Sequence, residues 1–230
     1  MKTYHGVCFL SSMYAKSGTT IAAILGAAEK LFLARNYANV AMDDIAEAAG
    51  VTKGALYHHF KSKKDLYLAM MHHDLKAKQA LMRSGVEMQG SCIERLRRLT
   101  ASFLGLPPEK RDLIRLVRRD INIFKGPARD RLVRAYQAAL PNQVEIILRD
   151  GIRSRELVDT DPRLLAWMYV AIVEVALTSY AEHVLENQAT MLDFVVDLFF
   201  EGAGRPARHT MPKHAMSKMG RRAARAAVAA

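Results

Sequence analysis

The chain has 230 residues, half of them apolar, with 34 Lys and Arg against 23 Asp and Glu for a formal charge of +11. That is enough apolar material for one large or two small cores. Two cysteines, Cys8 and Cys92, are too few for a disulfide framework. They agree with a reducing cytoplasm, where the protein is expected to reside. No apolar run reaches membrane-spanning length, and the stretch 6–13 is too short and poorly flanked for a secretory signal, so no membrane partner is expected.

The charge is unevenly placed. Residues 1–85 carry 11 basic against 6 acidic groups, residues 86–204 carry 16 against 17, and residues 205–230 carry 7 against none. A polyanion is the natural partner of the two ends, and the balanced middle must do something else.

In chain order, residues 1–17 show no clear period and are expected to form a disordered arm. Thr19 or Thr20 can cap a first helix, on which Ile21, Leu25, Ala28, Leu31 and Phe32 recur at helical spacing as a core stripe. The stretch 43–64, DDIAEAAGVTKGALYHHFKSKK, follows. Ile45, Ala46 and Ala49 fall on one side of a short helix, Gly50 can take the left-handed conformation that ends it, and Val51 plugs the turn. Thr52 is placed to cap the next helix, where Leu56 and Phe60 face back onto the first. Lys53, Gly54, Tyr57 and His58 are left pointing outward. Such a pair is a helix-turn-helix whose outer side fits the major groove of duplex DNA.

Ser62, with Asp65 three residues on, starts a fourth helix and puts Lys63 and Lys64 in its first turn. Cations there oppose the helix dipole unless an anion binds, so a backbone phosphate is expected at that end. Leu66, Met70, Leu75, Leu81 and Met82 continue this helix to about residue 83, far enough to be shared by two domains. His58, His59, His72 and His73 have no carboxylate or thiolate spaced to complete a metal site. No glycine-rich phosphate loop or nucleophile elbow occurs either, so no metal, cofactor or enzymatic activity is expected.

Residues 21–70, from IAAILGAAEKLF to KSKKDLYLAM, resemble the DNA-binding domain of TetR-type transcriptional regulators. The AA..LF helix, the IA..AGV turn, the G.LY.HF recognition helix and the K..L opening of the fourth helix stand in order at the family's spacing. The resemblance covers roughly a fifth of the chain. It implies that Lys53, Gly54 and Tyr57 contact bases with Thr52 at their edge, and that His58, His59 and Lys63 hold phosphates. Val40 and Ala41 stand where the family commonly has Thr or Ser, one of which caps the second helix and touches a phosphate, and Ala41 can do neither. Asn36 stands where a Gly usually closes the first helix, in a conformation that Asn also tolerates.

Beyond residue 85 the chain reads as wholly helical, with periodic runs at 93–104, 110–124, 128–149, 164–185 and 189–201 between Gly and Pro punctuation. Pro141 should break the third run, and Asp161 before Pro162 should cap the fourth. Arg115, Arg118 and Arg119 with Asp112 and Asp120 read as a solvated or paired face, and Asp193, Asp197 and Glu201 as a solvent stripe. Cys92 is expected to be buried and inert. Residues 167–177 are apolar nearly all round, interrupted by Glu174, so a second subunit is the expected cover. The resemblance implies that the last two long helices pair in a dimer, and that a small-molecule effector binds in the second domain. Phe103, Leu116, Ile123, Phe124, Tyr136 and Trp167 are the candidate lining. From Gly204 the chain lacks acids and most large apolar residues and is expected to be a disordered basic tail free to touch DNA.

The expected architecture is therefore all-α. An arm (1–17) precedes an amino-terminal three-helix helix-turn-helix DNA-binding domain (18–66). A helical carboxy-terminal ligand-binding and dimerisation domain (67–203) and the tail (204–230) follow. The function it points to is a ligand-responsive transcriptional regulator: a homodimer that represses from a near-palindromic operator on double-stranded DNA and is released by a small molecule. A nucleoid-type architectural protein without an effector is the alternative.

Overall fold

Capping side chains set several of the helix starts. The computed structural model describes the backbone of residues 6–203 and the side chains of residues 18–202, so the expectation for the tail lies outside the described residues. Among these there are eleven α-helices: α1 Gly6–Ala34, α2 Met42–Ala48, α3 Lys53–His59, α4 Lys63–Val86, α5 Cys92–Leu104, α6 Pro108–Asp120, α7 Pro127–Ala139, α8 Pro141–Arg153, α9 Pro162–Ala176, α10 Ser179–Leu185 and α11 Gln188–Ala203. Thr52 Oγ1 accepts the Ala55 N–H at 3.1 Å, Ser62 Oγ the Asp65 N–H at 3.1 Å, and Asp161 Oδ1 those of Arg163 and Leu164 at 2.8 and 3.1 Å. Each satisfies amide donors that an uncapped first turn leaves open.

Three expectations need correction. The first helix begins at Gly6, so Thr19 and Thr20 lie inside α1, and the arm expected over residues 1–17 is helical from Gly6 on. Extending a helix is cheaper than nucleating one, and a run without proline carries α1 past both threonines. Asn36 is extended (φ −77°) rather than left-handed, and its Oδ1 accepts the Asn39 N–H at 3.0 Å to open a 3-10 turn at Tyr37–Asn39. The run 164–185 is two helices bent by 77°, because Thr178 Oγ1 takes the Ala181 N–H and starts α10 afresh. Pro141 breaks the third run as its ring requires, with Leu140 at φ −122°, ψ −79° between α7 and α8.

Packing makes one continuous apolar core from Ile24 to Phe199. α1 lies on α2, α4 and α6. α4 then runs on against α5, α7 and α8, while α11 closes over α5 and α9. In the first unit Ile24, Ala28, Phe32, Ile45, Leu56 and Leu66 are fully buried, each large side chain contributing roughly 1.5–3 kcal/mol. The acidic stripe of α11 is not simply solvated: Arg97 of α5 reaches both Asp193 and Asp197. Among the described residues no single helix is long and apolar enough to cross a membrane.

α4 also carries a buried ion pair, Asp74 with Lys78, whose side chains are 5% and 3% exposed. Burial pushes the Asp74 carboxyl up and the Lys78 ammonium down, and their mutual attraction offsets this only in part. Such a pair positions the helix more than it stabilises the fold. α5 and α8 come close in the second unit, where a Cβ added at Gly151 would stand 2.6 Å from Cys92 Sγ. Burial, with the Glu156 carboxylate adding to it, pushes the Cys92 thiol up to about 12 and keeps it protonated.

Helix propensity alone would make Gly151→Ala stabilising by about 1 kcal/mol. The contact with Cys92 reverses the sign, and a net loss of about 1–3 kcal/mol is expected in urea titration. A stabilised variant would show that α5 and α8 stand further apart.

Candidate nucleic-acid interface

The outward side of α3 is built by its inward one. Leu56 is fully buried and fixes the helix by a single turn, with Phe60 packed partly buried behind it. Gly50 takes φ +66°, the left-handed turn into which a side chain would bring strain, and so ends α2 sharply enough for α3 to cross it. What remains outside is Thr52, Lys53, Gly54, Tyr57 and His58, all exposed, with Tyr57 at 47%. Beyond its chain neighbours and its own helix backbone, a Cβ added at Gly54 would meet only Thr52 Oγ1, at 3.9 Å, so the helix surface there is a gap bare enough for a base edge. His59 is partly buried, its ring 5.2 Å from that of His58.

Lys53 lies on this surface bonded to Asp43 at the start of α2, Nζ to Oδ2 2.5 Å. That hydrogen bond, and the Asp43 charge with it, raise the Lys53 ammonium above its ordinary value. The pair is exposed on both sides, so a polyanion meets little resistance in drawing Lys53 away.

Lys63 departs from expectation. Its ammonium donates to the carbonyls of Tyr37 (2.9 Å), Ala38 (3.3 Å) and Val40 (2.9 Å) and sits 4.7 Å from the centre of the Tyr37 ring. An ammonium has three donors, and here all three are taken by the turn that leads into α2. Lys63 is therefore a clamp inside the domain rather than a cation turned to solvent, while Lys64 beside it is exposed. This also explains how α2 manages without a side-chain cap at Ala41: the turn is held from α4, and Asp44 Oδ2 accepts the Ala41 N–H at 3.1 Å.

The candidate effector residues scatter. A cavity of about 30 Å³, room for a water-sized guest, lies between α4, α5, α6, α8 and α9, and Leu99, Thr100, Phe103, Ile114, Tyr169 and Glu174 are among its lining. Of the six candidates only Phe103 lines it. Tyr136 stands beside it, donating its hydroxyl to Glu174 Oε1 at 2.7 Å, and the Trp167 ring lies 6.0 Å from that of Tyr136. Leu116 is core, and Ile123 is 48% exposed in the 3-10 turn after α6. Phe124 packs on Tyr37 and Tyr67, at 5.7 and 5.6 Å between ring centres, where the two units join. The break of α6 at Asp120 turns both residues away from the cavity.

Sequence reasoning missed the polar groups that tie the units together. Tyr67 of α4, fully buried, donates to Asp120 Oδ2 at 2.5 Å, and Arg119 Nε holds the other carboxylate oxygen at 2.6 Å. Burial raises the Tyr67 phenol far above its ordinary value, with the Asp120 bond adding to it, so the proton stays on the tyrosine. At the other end of α6, Lys110 pairs with Glu29 of α1 at 2.6 Å. Arg118 contacts the buried Glu174. The one signal available was Glu174 itself, an acid on an otherwise apolar helix.

Residues 24–70 match the family described as bacterial regulatory proteins, tetR family. The chain is similar to the transcriptional activator FasR of Mycolicibacterium smegmatis, 28% identical over 128 residues, 56% of this chain and 58% of that protein. It is also similar to the transcriptional regulator TtgR of Pseudomonas putida, 48% identical over 52 residues, 23% of this chain and 25% of that one. The matched segments thus span about half the length of the first relative and a quarter of the second. By fold it is similar to the transcriptional regulator FadR of Bacillus subtilis, solved in complex with stearoyl-CoA: TM-score 0.67, 20% identity, 79% of this chain and 98% of that one. A TetR-family regulator of Agrobacterium tumefaciens matches at TM-score 0.68 and 21% identity, over 82% and 100% of the two chains.

Lys63→Ala is expected to lower the stability of the DNA-free protein by about 1–2 kcal/mol, through loss of charge-assisted bonds to partly buried carbonyls, and to speed amide exchange in the turn from Tyr37 to Ala41. Unchanged stability and exchange would return Lys63 to the role of a phosphate contact.

Proposed function

We propose, on the premise that the chain is a transcriptional regulator of the TetR family, that it acts as a homodimeric repressor. In this reading it binds a near-palindromic operator when empty and leaves it when a small molecule enters the second unit. The observation that carries the reading is the outer surface of α3: a bare glycine between a weakly held lysine and an exposed tyrosine, on a helix fixed from behind. Lys53, Gly54 and Tyr57 read base edges with Thr52 at their margin, and His58, His59 and the exposed Lys64 meet phosphates. Lys63 acts one step back, holding the turn against which α2 rests.

Dimerisation is supported by the exposed apolar side chains of α9 and α11, among them Leu164, Met168, Val175, Phe194 and Leu198. An apolar face of that extent calls for a cover. A two-fold axis through it supplies one and sets two copies of α3 about 34–36 Å apart, one turn of DNA.

Release is supported by the way α6 is fastened. Its start is bonded to α1 through Lys110 and Glu29, its end to α4 through Asp120 and Tyr67, and Ile114 between them lines the cavity. A guest that pushes α6 therefore pulls on both helices that brace the recognition unit, and tilting them changes the separation of the two α3 helices. The coupling needs only the few kcal/mol by which a guest prefers one arrangement to the other.

Two outcomes are expected once selection from a duplex library has given the operator. Tyr57→Ala weakens operator binding at least tenfold, about 1.4 kcal/mol, and random duplex by less. Equal losses on both would take Tyr57 out of base reading. Tyr67→Phe keeps the ring and removes the bond to Asp120. Operator affinity without effector should stay within threefold while the effector's power to release DNA falls, and a fully retained response would show that Tyr67 and Asp120 carry no coupling.

A further inference from the structure

The middle of the chain is balanced in charge only as a sum. Residues 110–134 carry nine basic groups against three acidic ones, and the rest of 86–204 carries seven against fourteen. Five of the nine have a carboxylate beside them: Lys110 has Glu29, Arg111 has Glu182, Arg115 has Asp112, Arg118 has Glu174 and Arg119 has Asp120. The other four, Lys125, Arg129, Arg131 and Arg134, fall within ten residues around the start of α7, and all are exposed. Among the described residues none of them pairs with an acid, although Asp130 stands in their midst. Arg129 reaches only the Asn122 amide oxygen, at 3.5 Å. Like charges gathered so closely repel one another, and a polyanion relieves them.

Their place in the fold says which polyanion. Lys125 follows Phe124, whose ring packs on those of Tyr37 and Tyr67 at 5.7 and 5.6 Å. Tyr37 opens the turn that leads into α2, and the Lys63 ammonium sits 4.7 Å from the centre of its ring. The exposed Lys64 is the next residue, and a few positions past the turn Asp43 holds Lys53 of the recognition surface. Further along α4, Arg131 stands close enough to His72 that its charge, after burial, lowers the imidazole below its ordinary value. His72 is eight residues past Lys64, about 12 Å along the helix. Lys64, Lys125 and Arg131 thus make a line of unpaired cations that climbs from the end where α3 lies. Duplex DNA carries about one charge per 1.7 Å of its axis, so a duplex seated on α3 has further phosphates to offer. A patch that begins beside the recognition helix meets whatever that helix meets.

We propose that Lys125, Arg129 and Arg131 form a phosphate-gripping edge of the second unit, which holds the duplex backbone just outside the contacts made by α3 and Lys64. The proposal rests on the reading of α3 as the recognition helix and extends the DNA contact to the second unit. Such a grip reads no bases. It adds affinity on any sequence and makes that affinity fall with salt. It also needs duplex beyond the operator, so the length of the DNA governs binding together with its sequence.

The test compares the full chain with a variant carrying Lys125→Gln, Arg129→Gln and Arg131→Gln. Binding is measured from about 50 to 300 mM KCl on three DNAs: the selected operator within a duplex of about 40 base pairs, the operator trimmed to its own ends, and a random duplex of about 40 base pairs. On both long duplexes the variant's slope of log affinity against log salt should be shallower by at least ~2 per dimer, at about 0.9 for each phosphate let go. On the trimmed operator the two proteins should have the same slope. A second variant removes three exposed arginines by the other end of α4, Arg98→Gln, Arg153→Gln and Arg155→Gln, where Arg98 donates to the Gln89 carbonyl and Arg95 joins Asp150 to Val86. Its slope should stay native, and equal melting temperatures check that both variants fold. An unchanged slope in the first variant overturns the proposal. So does an equal loss in the second, which would be an effect of overall charge, or an equal loss on the trimmed operator, which would place the contacts inside it. Each of these leaves the recognition reading standing while the native chain prefers the operator to random duplex, and absence of that preference removes both.

Discussion

Tyr67 and Asp120 meet in a place that water does not reach, and much of the molecule is arranged around that bond. A phenol and a carboxylate buried together must satisfy each other, because neither has a solvent partner in reserve. The bond ties α4 to the end of α6 and is enclosed by the rings of Phe32, Tyr37 and Phe124. Lys110 with Glu29 secures the opposite end of the same helix. Between two fastened ends, α6 has few ways to move that leave α1 and α4 where they were. The recognition unit and the rest of the chain are thus one mechanical object, although their charge differs sharply.

The surface of α3 depends on this indirectly. A short helix of seven residues has little stability of its own, so its orientation is set by what it rests on. Leu56 anchors it from below, Gly50 allows the turn before it, and the carbonyls just ahead of α2 are gathered by Lys63 from α4. The basic residue that the dipole argument assigned to a phosphate thus completes the scaffold. Both roles suit a cation, and only the position of three carbonyls chooses between them.

The buried charges in and beside the second unit come with partners. Asp74 with Lys78, Asp120 with Arg119 and Tyr67, and Glu174 with Tyr136 and Arg118 all lie inside or at the edge of an apolar core. Burial makes such groups poor contributors to stability and good determinants of arrangement, since each tolerates only the geometry that supplies its partner. They mark the places where this bundle has a single packing rather than several.

Most of the helices, the starts at Ser62 and Asp161, the break at Pro141 and the outward residues of α3 were legible in the chain, while the start of α1 and the bend between α9 and α10 were not. The legible features depend on neighbours within four positions: a side-chain oxygen reaches an amide two or three residues on, a proline ring clashes with its own turn, and an apolar stripe repeats each turn. The likeness to TetR-type regulators rested on the same local signals. What tertiary structure alone decided lies between residues far apart in sequence. Lys63 turns inward to Tyr37 and Val40, Asp120 meets Tyr67, Arg97 crosses to α11, and Arg118 finds Glu174. The cavity excludes Phe124 because α6 stops where Asp120 is claimed by another helix. A charged side chain carries no mark of its partner, since Coulomb attraction acts on distance in space and the sequence records only distance along the chain.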